Sequence, residues 1–409
     1  FWRVPCLPFY FQHAFSVRLL SKEGIMVEKV SRLSGPKVLY HGPGALRELD
    51  AAIGMLGGER VALVTDPGLV EAGLVEQVRD STDYELLLWD GVEPDPPYQL
   101  VHQCVDFIKE NQCNLVVGLG GGSSMDVAKM SAAMTANEGK VTDYWGADRI
   151  PNPGLPVIAI PTTAGTSSEL SPAAVFTDAD AQAKRGARSD YLLADIAIAD
   201  SSLTLGLPQS LTAATGMDAL THAIEAYVSK GATLVSDAMA EQGIALIGEH
   251  LRVAYAKGDN LEARTGMMAG CVFAGKALGE AGVGIVHSLA HVLGGKFQIP
   301  HGVANALLLP YVMEFNRIGC RQKYAYIASL LGDHVAGLPL DQASRRGVEA
   351  VRTLSRDVDI PQRLRDLDVP KEELEDVARV CLDTQARILA NDPRTMSFEE
   401  AIEILHRAY

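Results

Sequence analysis

Four of the ten histidines in this 409-residue chain, together with one aspartate, fall into two short stretches. Residues 216–227 read GMDALTHAIEAY, with Asp218 and His222 at i and i+4 on one helix face. Residues 285–302 read IVHSLAHVLGGKFQIPHG, where His287 and His291 repeat that spacing and His301 follows Pro300 in a predicted loop. The neighbours of each pair are strongly apolar. An unpaired carboxylate and imidazoles are costly to bury there, and one cation shared between helices removes that cost. A lone histidine in such surroundings is more often a satisfied core residue, but two spaced pairs resist that explanation. One carboxylate and three imidazoles suit Fe(II) or Zn(II) before Ca2+ or Mg2+. Such an ion is a Lewis acid that lowers the pKa of an alcohol oxygen and lets hydride leave its carbon. The remaining imidazole then becomes a candidate proton relay.

A second constellation lies upstream. Residues 115–129 read LVVGLGGGSSMDVAK: a buried strand, a glycine cluster, and Ser123-Ser124 opening a helix. Glycines let the backbone approach an anion, and the helix N-terminus offers unpaired N–H groups, so pyrophosphate is the expected guest. The pattern is neither GxGxxG nor a P-loop, and a glycine turn between strand and helix is often only tight packing. Asp66 ends the strand RVALVT. A carboxylate there can bind a ribose diol and repel a 2′-phosphate, favouring NAD over NADP; as plain structure it is an N-cap before Pro67-Gly68. The segment IPTTAGTSSE (160–169) puts Thr162, Thr163 and Thr166 in a small polar loop after another strand.

The elements that must position these groups change character along the chain. Up to about Asp200, short apolar runs (Arg60–Thr65, Leu115–Leu119, Val157–Ile160, Ile196–Ala199) alternate with helical stretches such as Gln99–Glu110 and Ser124–Asn137. Strand–helix alternation implies a parallel α/β sheet, with ligands at the carboxyl ends of its strands. After Leu205 helical spacing dominates: Ser210–Lys230, Thr233–Lys257, Leu261–Leu278, Gly284–Leu293 and a series to Tyr409. The expected organisation is an α/β dinucleotide-binding domain over 26–205 and an all-α metal-binding domain over 206–409. Residues 1–25 are basic and acid-poor before Glu23. They read either as a transit peptide, which would direct the chain to the mitochondrial matrix, or as sequence foreign to the native chain, with Met26 a sensible start.

Composition narrows the function classes. With 47% hydrophobic and 21% charged residues the chain is of globular type. A formal net charge of -15 and no basic cluster argue against nucleic acid. No apolar run approaches the length of a membrane span. Six scattered cysteines without a CxxC pair read as reduced thiols, consistent with a cytoplasmic location.

Taken in order, HGPGAL, VTDPGLV, GGGSSMDVAK, PTTAGTSSE, GMDALTHAIEAY and VHSLAHVLGGKFQIPHGVANALLLP resemble the iron-containing (group III) alcohol dehydrogenase family from about Gly35 to the end. The resemblance implies the dehydroquinate synthase-like fold of that family, a cleft between its two domains, and a homodimer. It implies Asp218, His222, His287 and His301 as metal ligands and His291 as the non-ligand histidine beside nicotinamide and substrate. Asp66, Gly121, Gly122, Ser123, Asp126, Thr162, Thr163, Thr166 and Lys184 become cofactor contacts. The activity implied is reversible hydride transfer between a primary alcohol or small diol and NAD, with Fe(II) first and Zn(II) as alternative. Five positions depart from the relatives. Ser124 replaces a proline, Ser167 a glycine, and Asp95 an asparagine. Ala173 and Leu278 stand where a related reductase has Asn and Phe against its substrate, which implies a roomier, more apolar pocket. The rival readings are a maleylacetate reductase-like or glycerol dehydrogenase-like enzyme of the same superfold, the latter disfavoured by the intact DxxxH. A non-catalytic NAD- and metal-binding structural or sensing oligomer is the rival of another class.

Overall fold

Val61–Val64, Leu115–Gly120, Val157–Pro161 and Ile196–Ala199 are continuous apolar runs, and every residue in them is buried. Strands read this way when helices cover both faces of a parallel sheet. The computed structural model describes residues 30–178 and 183–409. The expectations for residues 1–25 and Met26 lie outside the described residues, as does Cys6. Arg32–Tyr409 by itself forms one compact unit.

Nine strands occur among the described residues: β1 Val38–His41, β2 Val61–Val64, β3 Leu86–Trp89, β4 Leu115–Gly120, β5 Gly146–Ala147, β6 Val157–Pro161, β7 Ala173–Asp178, β8 Ala183–Arg188 and β9 Ile196–Ala199. Six form a wholly parallel sheet in the order β1-β9-β6-β4-β2-β3. The other three form a small sheet, β5-β8-β7, in which β7 and β8 are antiparallel. The four strands expected from the sequence are the buried centre of the large sheet. The five not foreseen are its half-buried edges and the small sheet. There β8 reads AKRGAR and shows no apolar pattern.

Beyond Asp200 every long element is helical among the described residues. Gln209–Val228, Leu234–Ala256, Leu261–Ala281 and Ile285–Phe297 differ from the expected helices only at their ends. His301–Asn316 follows, and His301 is its first residue rather than part of a loop. Pro300 explains the difference: with φ near the helical value it starts a helix as readily as it ends one. Side-chain caps set two of the starts. Thr233 accepts from Ser236 N and Asn260 from Ala263 N, at 3.1 and 3.0 Å. The helices Leu234–Ala256 and Leu261–Ala281 pack closely because of glycine: a Cβ on Gly270 would lie 2.8 Å from Ile247 Cγ1.

Five cysteines (Cys104, Cys113, Cys271, Cys320, Cys381) are free and buried. Among the described residues no single helix is long and apolar enough to cross a membrane.

Candidate metal centre and cofactor cleft

The i, i+4 spacing on Gln209–Val228 puts Asp218 and His222 on one face. Ile285–Phe297 brings His287 against that face, and the first turn of His301–Asn316 brings His301. One ligand atom from each of these four residues lies within 4.8 Å of all the others. Asp218 Oδ1 is 3.9, 4.0 and 3.8 Å from Nε2 of His222, His287 and His301. Asp218, His222 and His287 are buried; His301 is partly open. His291 lies just outside the cluster, its ring stacked on His301 with centroids 5.4 Å apart.

The lone pairs of this cluster have too few protons to meet. The Asn305 amide nitrogen reaches Asp218 Oδ1 at 2.7 Å and Nε2 of both His287 and His301 at 3.1 Å. Two N–H bonds cannot serve three acceptors. Nδ1 of His222 and of His301 has no partner among the described residues. His287 and His301 are also held neutral. Burial, and then His222, push His287 down to about 3; burial, and then Lys184, push His301 well below its ordinary value. Neutral imidazoles with an adjacent carboxylate are the state in which such residues ligate. The donor set therefore fits a divalent cation of the iron or zinc kind.

Three further residues hold this arrangement. Glu225, buried, accepts from Val286 N at 2.7 Å and meets His287 Nδ1 at 2.6 Å, which leaves His287 Nε2 bare and aimed at the cluster. Burial pushes the Glu225 carboxyl up to about 7. Asp392 accepts from Ile285 N at 3.0 Å, so two carboxylates cap the helix that carries His287 and His291. Gln385 Oε1 faces His291 Nδ1 at 3.3 Å, with its own nitrogen donating to Thr384 Oγ1 at 3.2 Å. Burial, and then His287, push His291 down to about 3. None of these three was singled out from sequence. Glu225 lies three residues beyond His222 and Asn305 four beyond His301, so helical spacing carries a signal for both. For Gln385 it carries none.

The second cluster sits at the carboxyl ends of β2 and β4. The chain leaves β2 toward β3 on one side and β4 toward β6 on the other, so this is the switch point where a parallel sheet opens a crevice. Gly121, Gly122 and Ser123 form the turn into the helix Gly122–Met134. Across from it, Thr163 Oγ1 would lie 3.7 Å from a Cβ on Gly121, and Thr166 Oγ1 3.0 Å from one on Gly122. Thr163 Oγ1 is buried without a partner among the described residues. Thr162 is buried and its N–H donates to Gly120 O at 3.0 Å. Asp66 caps the helix Pro67–Glu71 through Leu69 N at 3.1 Å and accepts from Ser124 Oγ at 3.3 Å, so its structural role is occupied while it faces the same crevice.

Two expectations change. Asp126 does not face the crevice as a cofactor contact. Its oxygens accept from Ser168 Oγ at 2.5 Å and Val175 N at 2.8 Å, and Lys129 pairs with it at 3.1 Å, so it ties its helix to β7. Lys184 is paired with Asp95 at 2.5 Å. The acid at position 95 thus holds the Lys184 ammonium in a charged pair. Ala173 opens β7, and Leu278 lies in the last turn of Leu261–Ala281; both are partly open.

Comparison with known proteins agrees with this layout. The family model described as iron-containing alcohol dehydrogenase matches residues 36–201, and that of the C-terminal part of the family matches 212–409. The 1,3-propanediol dehydrogenase of Klebsiella pneumoniae is 39% identical over 91% of this chain and 97% of its own length. The NAD-dependent methanol dehydrogenase of Bacillus methanolicus is 37% identical over 91% of this chain and 98% of its own. The crystal structure of a 1,3-propanediol oxidoreductase superposes with a TM-score of 0.90 at 39% identity, covering 93% of this chain and 100% of that one.

Proposed function

Because the chain belongs to the iron-containing alcohol dehydrogenase family, we propose that it moves hydride between a primary alcohol or small diol and NAD. The reaction is R–CH2OH + NAD+ ⇌ R–CHO + NADH + H+. The observation that carries the reading is the convergence of Asp218, His222, His287 and His301 beside a neutral His291.

Those four residues would hold iron first, with zinc the alternative, and the ion when bound supplies Lewis acidity toward an alcohol or carbonyl oxygen. The chain's own residues do the rest. Glu225 keeps His287 in the tautomer whose Nε2 faces the cluster. Gln385 accepts from His291 Nδ1–H, which leaves Nε2 as the proton acceptor. A base this weak holds the hydroxyl proton only in passing, so His291 relays it toward solvent rather than storing it. Backbone N–H groups of Gly121, Gly122 and Ser123 would receive the pyrophosphate. Asp66 at the end of β2 supports NAD over NADP, because its charge repels a 2′-phosphate. Ala173 and Leu278 leave room for substituents on the substrate.

A homodimer is the assembly we propose, checked by sedimentation velocity. A cytoplasmic location is proposed on the reduced, buried state of the five described cysteines. The function is tested by purifying the protein anaerobically, determining its metal, and following NADH formation with 1-propanol, 1-butanol and 1,2-propanediol after reloading with iron or zinc. NADH from at least one alcohol, dependent on the metal and weaker with NADP, is the expected result. Turnover unaffected by chelation would defeat the reading.

A further inference from the structure

The hydroxyl-rich loop after β6 bends at Ser167, which stands at φ 53° and ψ 28°. Left-handed backbone crowds the Cβ of an L residue, so such positions go most readily to glycine, asparagine or aspartate. Of the seven non-glycine residues with positive φ among the described residues, Ser167 alone is buried. Something inside the protein must hold it there. Its carbonyl accepts from Leu170 N at 3.0 Å, so this conformation opens the short turn Ser168–Leu170.

The Ser167 side chain reaches the helix Leu261–Ala281. Its Oγ donates to Cys271 O at 3.0 Å and lies 3.2 Å from Cys271 Sγ. Burial pushes the Cys271 thiol up, so the sulfur keeps its hydrogen and can give it to the hydroxyl oxygen. The helix has a glycine where the loop approaches: a Cβ on Gly275 would collide with the Ser167 side chain. Donor and acceptor of one hydroxyl are thus both committed to a single residue of that helix.

The neighbours of Ser167 are the residues that meet the glycine turn. Thr166 Oγ1 would lie 3.0 Å from a Cβ on Gly122, and it accepts from Ser168 N at 3.3 Å. Ser168 Oγ donates to Asp126 at 2.5 Å, and Ser168 O accepts from Lys129 Nζ at 3.0 Å; both partners lie on the helix that the turn opens. Further back, a Cβ on Gly165 would lie 2.5 Å from Thr215 Cβ on the helix of Asp218. Between them the loop presents Thr163, whose Oγ1 has no partner among the described residues, toward Gly121. Ser167 is where this loop is fastened to the helical half.

We propose that Ser167 is a positioning residue for the cofactor: its hydroxyl, through Cys271, fastens the loop so that Thr163 and Thr166 already stand at the pyrophosphate turn when NAD arrives. A loop ordered in advance loses less freedom on binding, which favours affinity without touching the chemistry. The inference rests on the NAD reading above and adds no chemical step. Glycine at this position would remove the backbone strain and the fastening together.

NAD binding is measured by calorimetry, and kinetics with 1-propanol, for the metal-loaded enzyme, Ser167→Ala and Ser167→Gly. Ser167→Ala keeps the Cβ and loses both bonds. Ser167→Gly suits the backbone and guards against a variant that fails to fold. Both should raise Kd and KM for NAD about fivefold, the factor one neutral hydrogen bond typically carries, with kcat and KM for propanol within about twofold. An unchanged Kd for NAD in both variants, with only the melting temperature lowered, makes the hydroxyl a packing feature and overturns the proposal. KM for NAD and for propanol rising together overturns it as well, because the whole cleft would have moved. An unaltered enzyme that binds no NAD sinks the cofactor reading and this inference with it. If NAD binds but no alcohol is turned over, the hydride-transfer reading fails and the calorimetric comparison still decides this one.

Discussion

The turn after β4 and the donor cluster between the helices both await charged guests, but they are made of different material. The turn is backbone: Gly120 to Ser123, consecutive in sequence, with N–H groups aimed outward at the end of a buried strand. The cluster is side chain: one carboxylate and three imidazoles from three helices, separated by up to 83 residues between Asp218 and His301. A backbone site is sensitive to any Cβ that blocks approach. A side-chain site is sensitive to loss of a donor and to whatever orients it, so the two should fail independently.

The largest effect separates them directly. His222→Ala should weaken iron or zinc binding by more than the roughly 10–100-fold typical of losing an outer-shell partner, and abolish NADH formation. NAD affinity by calorimetry should stay within about twofold. Metal content and turnover surviving this change would mean the cluster is not one site.

Gly120→Ala is the converse break. Gly120 has φ +145°, and a Cβ there would lie 2.6 Å from Ser124 Oγ. Strain on the order of 1–3 kcal/mol is expected, with KM for NAD raised about tenfold and bound metal unchanged. Metal lost along with NAD affinity would show that the two sites are coupled.

The smallest effect sharpens the contrast through pH. The cluster's helix is capped by buried carboxylates, and burial, with Glu225 nearby, raises Asp392 from 3.8 to about 7. A raised carboxyl pKa means that its stabilising contribution is fully present below about pH 4 and is lost as pH rises through about 7. Asp392→Asn keeps an acceptor for Ile285 N without the charge. It should therefore melt higher than the native chain at pH 8, by on the order of 2 kcal/mol, and lose that advantage near pH 4. Parallel stability curves for the two proteins across that range would refute the account.

Much of this was legible beforehand, for reasons that differ by region. Continuous apolar runs announce the central strands because both faces are covered, and glycines between a strand and a helix announce the turn because only backbone geometry is needed there. The edge strand β3 is as apolar (LLLW) as the central ones but only four residues long, and the polar β8 carries no such signal, since its partners rather than its composition make it a strand. Asp126 misled because a carboxylate near a cofactor motif looks the same in sequence whether it meets a ligand or ties a helix to β7.

By itself the sequence determined what is local: the α/β and helical halves, the pairing of Asp218 with His222 on one helix face, and the anion-receiving turn. Tertiary structure alone decided that His287 and His301 meet that pair while His291 stands aside. It also decided that Glu225 and Asn305 complete the surroundings. Helical and strand periodicity fix only the direction in which a side chain leaves its own element. Which groups meet is set by packing between elements distant in the chain, where the energy of burying a charge or a lone pair is settled.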